Sequence, residues 1–135
     1  MIDYRSDRRP EAAVIAALYD ASPLYRPTGD PARIAAMYAG SNLVLTAWDE
    51  GRLVGILRGW TDGAFDGYVC DLAVDPAYQK AGIGRRLLAL ALDANPEVQF
   101  VLRASKLAAE YYAHVGWQKI ENGWFRPRTG WQPPR

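Results

Sequence analysis

The stretch that most constrains this chain is Tyr68-Val-Cys-Asp-Leu-Ala-Val74, followed by Gln79-Lys80-Ala81-Gly82-Ile83-Gly84 and then Arg85-Arg-Leu-Leu-Ala-Leu-Ala-Leu92. The first part is β-branched and aromatic and has the length of a strand. The last part places Ile83, Leu87 and Leu90 on one face of a helix. A strand therefore leads through Asp75-Pro76-Ala-Tyr-Gln79 into a glycine-poised loop and directly into a helix. Gly82 and Gly84 let backbone N–H groups approach a ligand closely, and the first helical turn offers unpaired donors. Such an arrangement binds an anion, most often a phosphate. Lys80, Arg85 and Arg86 sit at this helix start, where the dipole disfavours cations by roughly 0.3–1 kcal/mol each. A bound polyanion reverses the sign of that term; the plainer alternative is a solvated helix start with exposed arginines.

Two other glycine signatures fail against these residues. A P-loop needs Lys-Ser or Lys-Thr after its second glycine, and neither Gly82 nor Gly84 is followed by that pair. A dinucleotide fingerprint needs a small residue where Leu87 stands, and its glycines follow the strand without the roughly seven intervening residues found here. What remains resembles the Gln/Arg-x-x-Gly-x-Gly/Ala motif of the GCN5-related N-acetyltransferases. The likeness runs through Asp71-Leu-Ala-Val-Asp-Pro-Ala-Tyr-Gln-Lys-Ala-Gly-Ile-Gly84. In that family the loop wraps the pyrophosphate of acetyl-coenzyme A, the acetyl donor. The resemblance thus implies coenzyme contacts at Gln79, Lys80, Ala81, Gly82, Ile83, Gly84 and Arg85.

Glu110-Tyr111-Tyr112-Ala-His-Val-Gly116-Trp117 resembles the aromatic-Tyr-x-x-x-Gly-aromatic ending of the same family. There the tyrosine protonates the departing thiolate, a role the resemblance carries to Tyr112. Periodicity predicts a short helix whose buried stripe is Leu107, Tyr111 and Val115, with Tyr112 offset to the edge of the core. Gly116 closes that helix. A core-edge tyrosine bonded to backbone is the competing role for Tyr112.

The 135 residues suffice for one core, read as a single domain over residues 1–126 with a loose tail over 127–135. The formal net charge of +1 supplies no strong field for nucleic acid or membrane. No signal peptide or membrane-spanning run is visible, and Cys70 as the lone cysteine suits a cytoplasmic setting. The expected elements are strands at Ile2–Arg5, Asn42–Trp48, Arg52–Trp60, Tyr68–Val74 and Val98–Arg103, with helices at Pro10–Tyr19 and Pro31–Ala39 beside the two motif helices. Asp30 caps the second helix. A final hairpin pairs Trp117–Ile120 with Trp124–Arg126 around Glu121-Asn122-Gly123.

The resemblance implies an α/β fold: a mixed, mostly antiparallel sheet, splayed between its fourth and fifth strands and flanked by four helices. In the family the splay exposes backbone groups that hydrogen-bond the pantetheine arm, here at Leu72, Ala73 and Val74. The family often carries a coenzyme-contacting Asn where this chain has Ser105, which weakens that contact. No metal is called for.

Attack of an amine on a thioester needs an oxyanion donor, a proton for the thiolate and removal of a proton from the ammonium. The splayed strand and Tyr112 answer the first two. Related enzymes place a base where this chain has Tyr68 or Cys70, and neither is a carboxylate or histidine. Asp71 is the one acid within Tyr68–Val74, and two roles stand open for it: a catalytic proton relay, or a buried acceptor tying the strand down. Strict alternation points it to the face opposite Tyr68 and Cys70. A water chain without a single base is the remaining route.

Tyr25, Tyr68 and Cys70 are the candidate acceptor contacts, with Trp60, Phe65, Trp124, Phe125, Asp62 and Asp66 nearby. Aromatic walls with acids suit an amine with an apolar body; ordinary sheet aromatics and solvated turn acids are the alternative. The Ser105-Lys106…Glu110-Tyr111-Tyr112 phrase looks like the arylalkylamine and lysine acetyltransferase branch. The expected acceptor is a small or lysine-like primary amine. Two other functions compete: an acyl-coenzyme A sensor without turnover, and a toxin acetylating aminoacyl-tRNA, which the balanced charge disfavours. The oligomeric state stays open, a homodimer included.

Overall fold

The computed structural model describes residues 1–106 and 108–132. In chain order it contains strand β1 (Ile2–Arg5), helices α1 (Ala12–Ala21) and α2 (Pro31–Ala39), and strands β2 (Leu43–Asp49), β3 (Arg52–Thr61) and β4 (Asp66–Val74). A 3-10 turn (Pro76–Ala81), helix α3 (Ile83–Asp93), strand β5 (Gln99–Leu102) and helix α4 (Ala109–His114) complete it. The strands lie side by side in the order β1-β2-β3-β4-β5. All neighbours are antiparallel except the parallel pair β4–β5.

Local chemistry sets several of these boundaries. Asp30 accepts from the Arg33 N–H and Pro31 takes the first turn, so α2 begins where the sequence predicts. Helix α1 starts two residues later than Pro10, because Glu11 is extended and its carbonyl takes the first amides, those of Val14 and Ile15. Asp62 Oδ1 accepts from the amides of Ala64, Phe65 and Asp66, folding a tight turn that starts β4 at Asp66 rather than Tyr68.

Two apolar layers cover the two faces of the sheet. On one, Ile15, Leu18 and Tyr19 of α1 and Ile34 and Tyr38 of α2 pack on Val44, Trp48, Ile56 and Ala73. On the other, Ile83, Leu87, Leu88 and Ala91 of α3 pack on Leu45, Ala47, Val54, Leu57 and Val69. Truncating a fully buried leucine such as Leu87 costs about 2–5 kcal/mol, so α3 and the loop that precedes it are firmly anchored.

The sheet splays as expected. Strand β5 pairs β4 only from Asp66↔Gln99 to Val69↔Leu102. Beyond that point Asp71–Val74 keep β3 as a partner on one side alone. Residues 71–74 of β4 therefore face the gap with no strand on that side, while the Cys70 carbonyl at its start accepts from Arg26 Nη2.

Three expectations are corrected. Arg58 pairs with Asp71 and Gly59 with Val69, which makes Cys70 an extra, bulged residue. The bulge resets alternation: Val69 and Leu72 pack toward α3, whereas Asp71 and Ala73 face α1 and α2. Asp71 therefore shares the face of Tyr68 instead of opposing it. Second, no strand forms over residues 117–126. An Asn-Gly hairpin turn of the tightest kind needs positive φ at both central residues, and neither Asn122 nor Gly123 adopts it. Residues 118–130 are exposed throughout. Third, the inward stripe of α4 is Tyr112 and Val115, not Tyr111, which stays 37% exposed; Leu107 lies outside the described residues.

Candidate active site

The loop between β4 and α3 has the geometry its glycines predict. Gly82 takes the left-handed conformation (φ 74°, ψ 18°), ending the 3-10 turn and starting α3. A residue with a Cβ would be strained there by roughly 1–2 kcal/mol. The first helical bond runs from the Arg86 N–H to the Gly82 carbonyl, so the amides of Gly82, Ile83, Gly84 and Arg85 have no intrahelical acceptor. Gln79, Lys80, Ala81, Gly82, Arg85 and Arg86 are exposed around these donors. Ile83 is different: its side chain is buried against the sheet, so only its backbone faces outward.

Gly84 sits where this loop meets the open edge of β4. A Cβ built there would lie 3.5 Å from the Tyr111 hydroxyl, 3.6 Å from Val74 Cγ2 and 3.7 Å from Leu72 Cδ2, all ordinary contacts. The Tyr111 hydroxyl thus stands at the loop mouth, and burial raises its pKa while Arg85 opposes the rise. Tyr112 is packed more deeply, edge-on to Tyr111 at 5.4 Å and to Trp117 at 6.0 Å, in the same apolar layer as Leu72 and Val74. Burial, and then Tyr111, push its pKa up, so its hydroxyl keeps its proton at neutral pH. Ser105 is engaged locally: its Oγ accepts from the Ala108 N–H at 3.3 Å.

The opposite face holds a charged network that centres on Asp71. Its side chain is fully buried and accepts from Arg58 Nε at 2.6 Å, Arg26 Nε at 2.6 Å and the Tyr19 hydroxyl at 2.7 Å. Tyr38 lies 2.5 Å from Tyr19, and because Tyr19 donates to Asp71, Tyr38 donates to Tyr19. Burial raises the Asp71 pKa, but the Arg58 hydrogen bond and the charges of Arg26 and Arg58 outweigh it and hold the carboxyl below its usual range. Arg58 itself lies between aromatic rings, its guanidinium carbon 5.7 Å from Tyr38 and 5.0 Å from Trp60. Its Nη2 reaches Cys70 Sγ at 3.1 Å, and burial raises the Cys70 pKa, keeping a neutral thiol.

Sequence reasoning passed over Arg26, Arg58, Tyr19 and Tyr38. The signal was present for Arg58: a lone cation inside Leu53-Val-Gly-Ile-Leu-Arg58 demands a buried acid nearby, and Asp71 on the next strand is that acid. Arg26, in a loop, carried no such signal.

The expected acceptor wall is only partly assembled. Tyr68 stacks on Trp60, ring centres 6.1 Å apart. Tyr25 is 75% exposed and gives its carbonyl to Arg26 Nη1. Phe65 and Trp124 point into solvent, Phe125 is exposed but lies under the Arg103 guanidinium at 4.2 Å, and Asp62 is committed to its own turn. Two surface grooves of about 410 Å³ each lie elsewhere, one along Val14, Leu18 and Leu53, the other along Phe100, Val101 and Ile120. Among the described residues no cluster of His, Cys, Asp and Glu is set to hold a metal, and no helix is long and apolar enough to cross a membrane.

Comparison with known proteins agrees with this architecture. A GNAT acetyltransferase domain model matches residues 25–127. Histone acetyltransferase TAP1 of Glycine max is 31% identical over 78 residues, which cover 56% of this chain and 34% of that protein. The alignment thus spans about a third of that relative's length. A GNAT family acetyltransferase from Streptococcus pneumoniae shares the fold at a TM-score of 0.71 and 24% identity, covering 95% of this chain and 100% of that one. A GNAT family acetyltransferase from Brucella melitensis, solved in complex with acetyl-CoA, does so at 0.68 and 21%, covering 96% and 94%. At these identities the two structures speak for the fold. The family match over residues 25–127, on a splayed sheet with this loop, places the chain in the GNAT acetyltransferase family, whose acetyl donor is acetyl-CoA.

Proposed function

We propose that this protein transfers an acetyl group from acetyl-CoA to a primary amine by direct attack within a ternary complex. The observation that carries the reading is the meeting, at Gly84, of the unpaired amides of α3, Leu72 and Val74 from the open stretch of β4, and the Tyr111 hydroxyl, with Tyr112 packed edge-on against Tyr111. The amides of Gly82, Gly84 and Arg85, with the cations of Lys80 and Arg85, hold the pyrophosphate; Ile83 contributes its amide alone. The edge at Leu72, Ala73 and Val74 pairs with the pantetheine arm as an added strand would.

The bound coenzyme supplies a thioester carbonyl at the splay. A backbone N–H of β4 stabilises the oxygen as the amine nitrogen attacks and negative charge grows there. As the carbon–sulfur bond breaks, Tyr112 donates its proton to the sulfur. Asp71 is a positioning group in this scheme: its oxygens are spent on Arg26, Arg58 and Tyr19, and a carboxylate held below its usual pKa is a weak base. The ammonium loses one proton to water before attack, and the second proton, lost as the amide forms, restores Tyr112 by way of water. A thiol-release assay over primary amines tests the reading, with turnover expected only when acetyl-CoA and an amine are both present; release that ignores the amine would refute it.

A further inference from the structure

The features that would attract an amine as its cation are already consumed inside the protein. The one buried acid of the acceptor face, Asp71, is matched by two guanidiniums. The face of Trp60, suited to a substrate ammonium, receives Arg58 instead, as does the buried ring of Tyr38. Two cations and one anion leave a net charge of +1. A third arginine, Arg103 just past β5, lies over the Phe125 ring at 4.2 Å, and it and Arg26 both lower the Tyr68 pKa against the larger effect of burial. The turn acid Asp62 is exposed and bound to its own backbone.

Arg26 is the member of this group that reaches solvent, with 24% of its side chain exposed against 6% for Arg58. It arrives from the loop after α1 and donates from Nη2 to the Cys70 carbonyl at 3.1 Å, one residue past the last β4–β5 pair at Val69. The guanidinium is therefore fixed at the start of the splay. Nη1 gives one N–H to the Tyr25 carbonyl, and its second N–H has no partner among the described residues. A fixed guanidinium with a spare donor at a cationic site fits a carboxylate.

We propose that the acceptor is a primary amine carrying a carboxylate, an amino-acid-like zwitterion, and that Arg26 determines this specificity by binding the carboxylate. The inference rests on the acetyltransferase reading above. The carboxylate offsets the positive charge of the site, and the amine is then presented from the face of Tyr68 toward the open edge.

The test compares free amino acids, lysine among them, with their carboxamides as acceptors, taking kcat/KM per deprotonated amine. The protein is expected to favour the acid over its amide by at least about tenfold, mostly through KM. Arg26→Gln should reduce the acid-to-amide ratio by about 10–100-fold, and Arg26→Lys should keep part of it. Melting temperature and acetyl-CoA affinity are measured beside it, because a merely structural role for Arg26 would move those without moving the ratio. Amides accepted as well as acids by the unaltered protein would overturn this inference alone. Absence of turnover with every amine, despite coenzyme binding, would overturn the acetyltransferase reading with it.

Discussion

Replacing Asp71 by Asn separates a structural carboxylate from a catalytic one. The Asp71 side chain is fully buried and Arg58, the more buried of its two arginine partners, is 6% exposed, so the substitution removes the counter-charge of a cation almost shut off from water. An amide can still accept one hydrogen bond, but its NH2 would face a guanidinium or the Tyr19 hydroxyl. Breaking one side of such a pair costs about 3–5 kcal/mol. For a domain of this size that lowers the melting temperature by roughly 10–20 °C. Because the folded-state pKa of Asp71 lies below its unfolded value, its contribution is present above the ordinary aspartate pKa of about 3.9 and fades as pH falls through the lower folded value. The unaltered protein should therefore lose stability below about pH 4 more steeply than the Asn variant. Thermal unfolding of both proteins across acid to neutral pH provides the readout, with turnover measured below both melting points. A variant that melts within a degree or two of the parent would refute the network. One that stays stable yet loses a thousandfold or more in kcat would make Asp71 the base.

Three further outcomes follow from the site. Tyr112→Phe keeps the edge-on packing against Tyr111 and Trp117 and removes only the donor, so kcat should fall about 10²–10⁴-fold at unchanged coenzyme affinity; retained turnover would remove Tyr112 from the mechanism. Tyr111→Phe should act on coenzyme affinity instead, because the Tyr111 hydroxyl stands beside Gly84 and Arg85; a kcat loss as large as that of Tyr112→Phe would exchange their roles. If the amine proton leaves to water as proposed, the rate should keep rising with pH past neutrality until a tyrosine raised above its usual value of about 10 begins to ionise; a plateau set by a group near pH 6–7 would reveal a base.

The strand, the glycine loop and α3 were legible because each local preference there agrees with the fold: β-branched residues, then Asp-Pro and glycines, then a helical apolar face. The splay followed from the family likeness and not from composition, since β5 is only four residues long and its pairing with β4 is non-local. Two expectations failed for different physical reasons. Alternation assigned Asp71 to the wrong face because the bulge at Cys70 leaves no mark in a pattern of period two. The terminal hairpin looked secure from Asn122-Gly123, yet a turn sequence is only permissive, and the positive φ angles it requires are not taken up. Ordinary side chains at unremarkable positions, Arg26 above all, entered the site through tertiary contacts that no local window contains.

Calorimetry of acetyl-CoA binding to Gly84→Glu tests the central claim most directly. Gly84 suits this better than Gly82, because Gly82 needs its positive φ and any substitution there also strains the fold. At Gly84 an added Cβ meets nothing nearer than 3.5 Å, so the variant should remain folded while its longer side chain and negative charge enter the space beside the α3 amides. The parent should bind acetyl-CoA with an affinity that weakens as salt rises, through Lys80 and Arg85, and the variant should show no measurable binding at an unchanged melting temperature. A folded Gly84→Glu protein that binds acetyl-CoA as the parent does would contradict the placement of the coenzyme at this loop.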